Sequence, residues 1–96
     1  DKGEIKMKEI KLTKNEKVIL KSINKKYKWI ARDEDGELMV YSTRPLKDRH
    51  IMKKWRVSLT DEYELMHIFN HLFQFIKWQD EKPYLIEDLL KGETEK

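Results

Sequence analysis

Cysteine is absent from this chain. That excludes disulfide staples and thiolate metal sites, and a fold that needs neither suits the reducing cytoplasm. Glycine occurs three times and proline twice. Three glycines, each near a turn or a chain end, cannot build the glycine-rich cradle that holds phosphate. No apolar run approaches the ~20 residues of a membrane helix, and no charged segment leads into an apolar stretch as in a signal peptide. Ser22, Ser42 and Ser58 lack the strand-turn-helix elbow of a serine hydrolase. The expectation is a cytoplasmic protein that is not an enzyme, holds no cofactor and does not enter a membrane.

What is present supports one folded domain. The 96 residues are 41% charged and 39% apolar and include ten aromatic side chains, a mixture that a disordered chain does not show. The net charge of +3 conceals an uneven layout. Residues 1 to 32 carry eleven basic and four acidic groups, and residues 33 to 43 carry four acidic and none basic. Residues 44 to 56 carry six basic and one acidic group, and the remainder nine acidic and four basic. The chain is polarised rather than uniformly basic.

Residues 1–12 alternate weakly, are rich in lysine, and read as a flexible basic arm or a short edge strand. Thr13-Lys14-Asn15-Glu16 matches a capping box and predicts a helix from Lys14 to about Asn24, with Val18, Ile19 and Ile23 as its buried stripe. YKWIARDEDGELMVYST predicts a β-hairpin turning at Asp33-Glu34-Asp35-Gly36. A three-residue loop with Gly36 at positive φ sets Trp29 opposite Tyr41 and Ala31 opposite Met39. Tyr27, Trp29, Ala31, Met39 and Tyr41 then share one face, with Ile30, Leu38 and Val40 on the other, and both faces call for cover. Trp55, Val57 and Leu59 predict a third strand of the same sheet. Thr60, followed by Asp61 and Glu62, predicts a long amphipathic helix to about Trp78, with Leu65, Ile68, Phe69, Leu72, Phe73, Phe75 and Ile76 as a wide apolar stripe. Pro83 predicts the start of a short C-terminal helix that Gly92 closes. The expected class is therefore α+β, with an N-terminal helix, a three-stranded antiparallel sheet built on a hairpin, a long amphipathic helix and a short C-terminal helix. Residues 13–92 form the domain, and residues 93–96 read as a disordered tail.

Two regions stand out as contact surfaces. Arg44, Lys47, Arg49, Lys53, Lys54 and Arg56 surround Trp55 in what reads as a loop, the mixture of cations and an aromatic that suits phosphate contact with base stacking. Trp78, on the back of the predicted long helix, suits a protein interface or self-association unless the C-terminal helix covers it. His67 and His71 lie at the four-residue helical spacing that lets two imidazoles share a metal, with Glu64 one turn upstream, but no HExxH pattern is present and two ligands do not make a site. The Asp33–Glu37 tip lacks the ligand set of a calcium loop and reads as solvated carboxylates.

The hairpin YKWIARDEDGELMVYSTRPLKD and the closing block HLFQFIKWQDEKPYLIEDLLKG resemble small uncharacterised proteins encoded by phages and prophages of Gram-positive bacteria. Tyr27, Ile30 to Asp33, Gly36, Leu38 and Tyr41 carry the first likeness. Phe75, Lys77 to Asp80, Pro83, Ile86, Leu89 and Leu90 carry the second. The resemblance implies a fold and an origin and brings no catalytic residues with it. The leading expectation is an accessory protein that binds a host or phage protein, with nucleic-acid binding by residues 44–56 as the alternative and homo-oligomerisation left open.

Overall fold

Thr13 opens the first helix as its sequence pattern requires. Its hydroxyl accepts the Glu16 amide at 3.1 Å, and the Glu16 carboxylate accepts the Thr13 amide at 3.0 Å, completing the capping box. The computed structural model describes residues 10–95, so most of the predicted N-terminal arm lies outside the described residues. Of its last part, Leu12 is buried and Ile10 packs on the core. Helix α1 (Lys14–Ser22) stops at an extended Ile23. Leu20 and Glu16 are its buried residues; Val18, predicted for the stripe, stands in solvent.

The hairpin forms in the predicted register. Strands β1 (Trp29–Arg32) and β2 (Leu38–Tyr41) pair Trp29 with Tyr41 and Ala31 with Met39, and Gly36 takes φ +93°. Both faces are covered, as both-sided apolarity demands. Ile30, Leu38 and Val40 enter the main core with Phe73, Ile76, Ile86 and Leu89. Ala31 and Tyr41 meet Trp55 in a second cluster that Trp29, Met39 and Trp78 flank. Tyr27 departs from its predicted face: it precedes β1, packs on the main core, and donates its hydroxyl to Glu64 at 3.2 Å.

The predicted three-stranded sheet and long helix are not what forms. The described residues hold six strands in two antiparallel sheets and two α-helices. The larger sheet has the order β5-β2-β1-β6, with β5 (Tyr63–Leu65) and β6 (Tyr84–Leu85) at its edges. The smaller joins β3 (Leu46–Asp48) to β4 (Lys54–Arg56), so Trp55 lies on a strand outside the first sheet and Leu59 is fully exposed. Tyr84 and Leu85 take the free edge of β1, which moves the last helix, α2, to Ile86–Glu95, beyond the start that Pro83 suggests and past Gly92.

A segment with helical periodicity fails to become a helix here because its backbone groups are claimed from outside. Residues 63–65 pair with β2, whose outer ladder would otherwise be unsatisfied. The chain then descends through three-residue turns, Phe69 N–H to Met66 C=O, Leu72 to Phe69 and Ile76 to Phe73. Arg32 fixes these turns: its five N–H groups donate to the carbonyls of Ile76, Asn70, Leu72, Phe73 and Gly36 at 2.7 to 3.1 Å. A helix would use those carbonyls internally. Glu16 holds the Phe73 amide at 2.7 Å, and Phe73 sits at φ +54°, a conformation no helix interior accepts. Asn70 accepts the Leu38 amide at 3.0 Å.

This dependence predicts the response to substitution. Arg32→Met keeps the aliphatic volume but strands several carbonyls, so chemical denaturation should show a loss of about 3 kcal/mol or more, only partly restored in Arg32→Lys. A loss below about 1 kcal/mol would show that the turns hold without the guanidinium.

Candidate functional site

Residues 44–56 are a hairpin rather than the predicted loop. Pro45 is buried beneath its entrance, and the register Leu46–Arg56, Lys47–Trp55, Asp48–Lys54 places Lys47 and Trp55 on the inner face. The outer face carries Leu46, Asp48, Lys54 and Arg56.

The inner pair is occupied. The Trp55 amide donates to Asp33 at 2.9 Å and its indole N–H to the Arg32 carbonyl at 3.1 Å, so one tryptophan joins the small sheet to the end of β1. Trp55 is buried and meets Trp78 edge to face, centroids 6.3 Å apart. The Lys47 ammonium lies 4.3 Å from the Trp78 ring centre and 5.3 Å from that of Trp55. It donates to the carbonyl oxygens of Trp78 and Asp80. Loss of solvation, reinforced by Arg49, pulls its pKa below the ordinary lysine value.

Most of the remaining cations also have partners. Arg49 pairs with Glu81 at 2.6 Å, Arg56 with Asp48 at 3.2 Å, and Arg44 lies over the Trp29 ring at 5.3 Å. Lys53 and Lys54 stand exposed, Lys53 at φ +55° where the chain closes the turn. Asp48 organises that turn by accepting the amides of His50, Ile51 and Met52 at 3.1 to 3.3 Å. The turn in consequence projects Ile51, 82% exposed, and Met52, 52% exposed, while Leu46 on the outer face of β3 is 73% exposed. Below them an open groove of about 580 Å³ is lined by Arg44, Leu46, Arg49, His50, Arg56 and Val57 among others.

The structure thus joins the half-buried Lys47 and Trp78 to the buried Trp55 in one cluster, and leaves Lys53 and Lys54 outside it. The sequence reading passed over Leu46, Ile51 and Met52. Their signal was slight: Lys54-Trp55-Arg56 alternates, but Leu46-Lys47-Asp48, five residues before it, does not, so only the spacing suits a second hairpin whose turn contains two apolar residues. The tip of the first hairpin is also not uniformly solvated. Asp33 is buried against the Trp55 amide, and this burial raises its pKa.

The histidine pair loses its geometry with the helix. His67 lies on a 3₁₀ turn, 3.3 Å from Glu37, while His71 falls in the following turn. Among the described residues no three His, Asp or Glu side chains are grouped to hold a metal ion. No described helix is long and apolar enough to cross a membrane. Comparison of the chain with protein-family models, curated proteins and solved structures finds no match.

Asp33 and Asp48 give opposite pH signatures. The amides and Arg56 around Asp48 depress its pKa in the fold, the Ile51 amide most, so its stabilisation is present above the ordinary aspartate value of 3.8 and is lost as pH falls through the folded value. Asp33 is raised, so its protonated form favours folding below 3.8 and that contribution disappears as pH rises through its higher folded value. Carbon-13 titration of the carboxyls should place Asp48 below 3.8 and Asp33 above it. Coincident midpoints would refute the two environments.

Proposed function

We propose that this chain is a non-catalytic accessory protein of phage type that acts in the bacterial cytoplasm by binding a protein partner. The observation that carries the reading is the inversion within residues 44–56. The aromatic is buried and four of the six cations have partners within the chain, while Leu46, Ile51 and Met52 of the same hairpin stand in solvent. An apolar turn fixed by a carboxylate and rimmed by Lys53 and Lys54 suits a partner surface with an apolar recess and an acidic border. The lack of cysteine supports the cytoplasmic setting, and the resemblance of the first hairpin and the closing block supports the phage origin. Nucleic-acid binding by residues 44–56 has the exposed Lys53 and Lys54 in its favour, but Trp55 offers no face for a base to stack on.

Affinity capture from a nuclease-treated lysate of phage-carrying cells tests this reading. The partner should persist after nuclease, and the double substitution Ile51→Asp and Met52→Asp should reduce its recovery at least tenfold. As both positions are exposed, the melting temperature should stay within about 4 °C. Recovery that nuclease abolishes, or that the double variant leaves unchanged, would overturn the proposal.

A further inference from the structure

A second accessible surface is a sheet edge. β5 is an outer strand of the larger sheet, and its three residues are all exposed. Ser42 N–H donates to Glu62 C=O and Met66 N–H to Leu38 C=O, with Glu64 opposite Val40 between them. The antiparallel ladder therefore turns the N–H and C=O groups of Glu62, Glu64 and Met66 toward β2, and those of Tyr63 and Leu65 away from it. Among the described residues no strand meets that outer row.

Natural edge strands are blunted by short length, charged side chains, proline or a bulge. β5 is short and carries Glu64, but it has no lysine, no proline and no break in its register with β2. Tyr63 and Leu65 lie opposite Tyr41 and Met39, on the aromatic face of the sheet, and remain 58% and 51% exposed because β4 covers only the β1 and β2 part of that face. Glu64 lies on the other face, where it accepts the Tyr27 hydroxyl and meets no cation among the described residues. Just before it, Glu62 pairs with Lys26 at 2.6 Å and Asp61 accepts the Thr43 hydroxyl at 2.9 Å, so the charge left for a partner on this edge is that of Glu64.

We propose that the outer edge of β5 is a docking site for an extended segment of a partner protein in which apolar and basic residues alternate, added as a fifth strand. Its backbone would meet the outward groups of Tyr63 and Leu65. Its apolar residues would cover those two side chains, and a lysine or arginine on the opposite face would neutralise Glu64. A second copy of this chain fits less well, because antiparallel pairing over β5 sets Glu64 against Glu64. This surface is distinct from the β3–β4 turn, so the two proposals fail separately.

The test uses a capped nine-residue peptide of alternating lysine and valine, with a peptide of the same composition in lysine and valine blocks as control. Fluorescence polarisation should show saturable binding of the alternating peptide, with at least tenfold weaker binding of the block peptide. Hydrogen exchange at the Tyr63 and Leu65 amides should slow at least tenfold on binding. Leu65→Pro removes one outward donor without touching the ladder to β2 and should weaken binding at least tenfold. Should that variant not fold, Glu64→Lys serves: it should lose the lysine peptide and gain an alternating glutamate–valine peptide. The Ile51→Asp, Met52→Asp variant should bind the peptide normally. Equal binding of the block peptide, an unaffected Glu64→Lys variant, or protection elsewhere in the chain would overturn the proposal. So would protection in the free chain that is lost on dilution, which would assign the edge to a second copy, or on removal of residues 1–9, which would assign it to the chain's own N-terminal segment.

Discussion

Arg32 ends the strand that carries the first hairpin, and its guanidinium holds the irregular half of the molecule in place. All five of its N–H groups reach carbonyl oxygens, four of them on the segment between Asn70 and Ile76. The planar fork lets one side chain satisfy a row of acceptors that a lysine ammonium could not span. Because those carbonyls are satisfied from outside, Phe73 and Ile76 can be buried without a helix around them. The capping-box glutamate plays the matching role for a donor: one oxygen serves the helix start and the other the Phe73 amide.

The same constraint governs what reaches the surface. With residues 66–80 laid down as turns, Trp78 comes to rest beside Trp55, and Lys47 lies against both rings with its charge directed at the carbonyls of Trp78 and Asp80. A basic run that reads as a nucleic-acid contact thus becomes the packing material of a second cluster. Four of its six charges are engaged locally, and what remains in solvent is a turn bearing Ile51 and Met52 beside Lys53 and Lys54. A charge count sees cations and cannot see which are already occupied.

The sheet follows a related logic. Two short hairpin strands expose two ladder edges, and the fold fills them with Tyr84–Leu85 on one side and Tyr63–Leu65 on the other. The β6 edge leads directly into α2 and is half-buried, whereas all of β5 is exposed. The asymmetry leaves one edge with apolar side chains on one face and a carboxylate on the other.

Local chemistry made some elements legible from the sequence alone. The Thr13–Glu16 capping box, the hairpin register set by Gly36 and the two covered faces of that hairpin depend on neighbours within a few residues or on strict alternation. Tertiary structure decided the rest, because the deciding contacts span long separations. The stripe from Leu65 to Ile76 has helical periodicity, yet periodicity reports only where apolar side chains fall. It cannot report that Arg32, some forty residues earlier, takes the carbonyls a helix would need. In the same way Trp55 and Trp78 are legible as aromatic anchors, but only the meeting of three segments determines that they face each other across Lys47 rather than a partner.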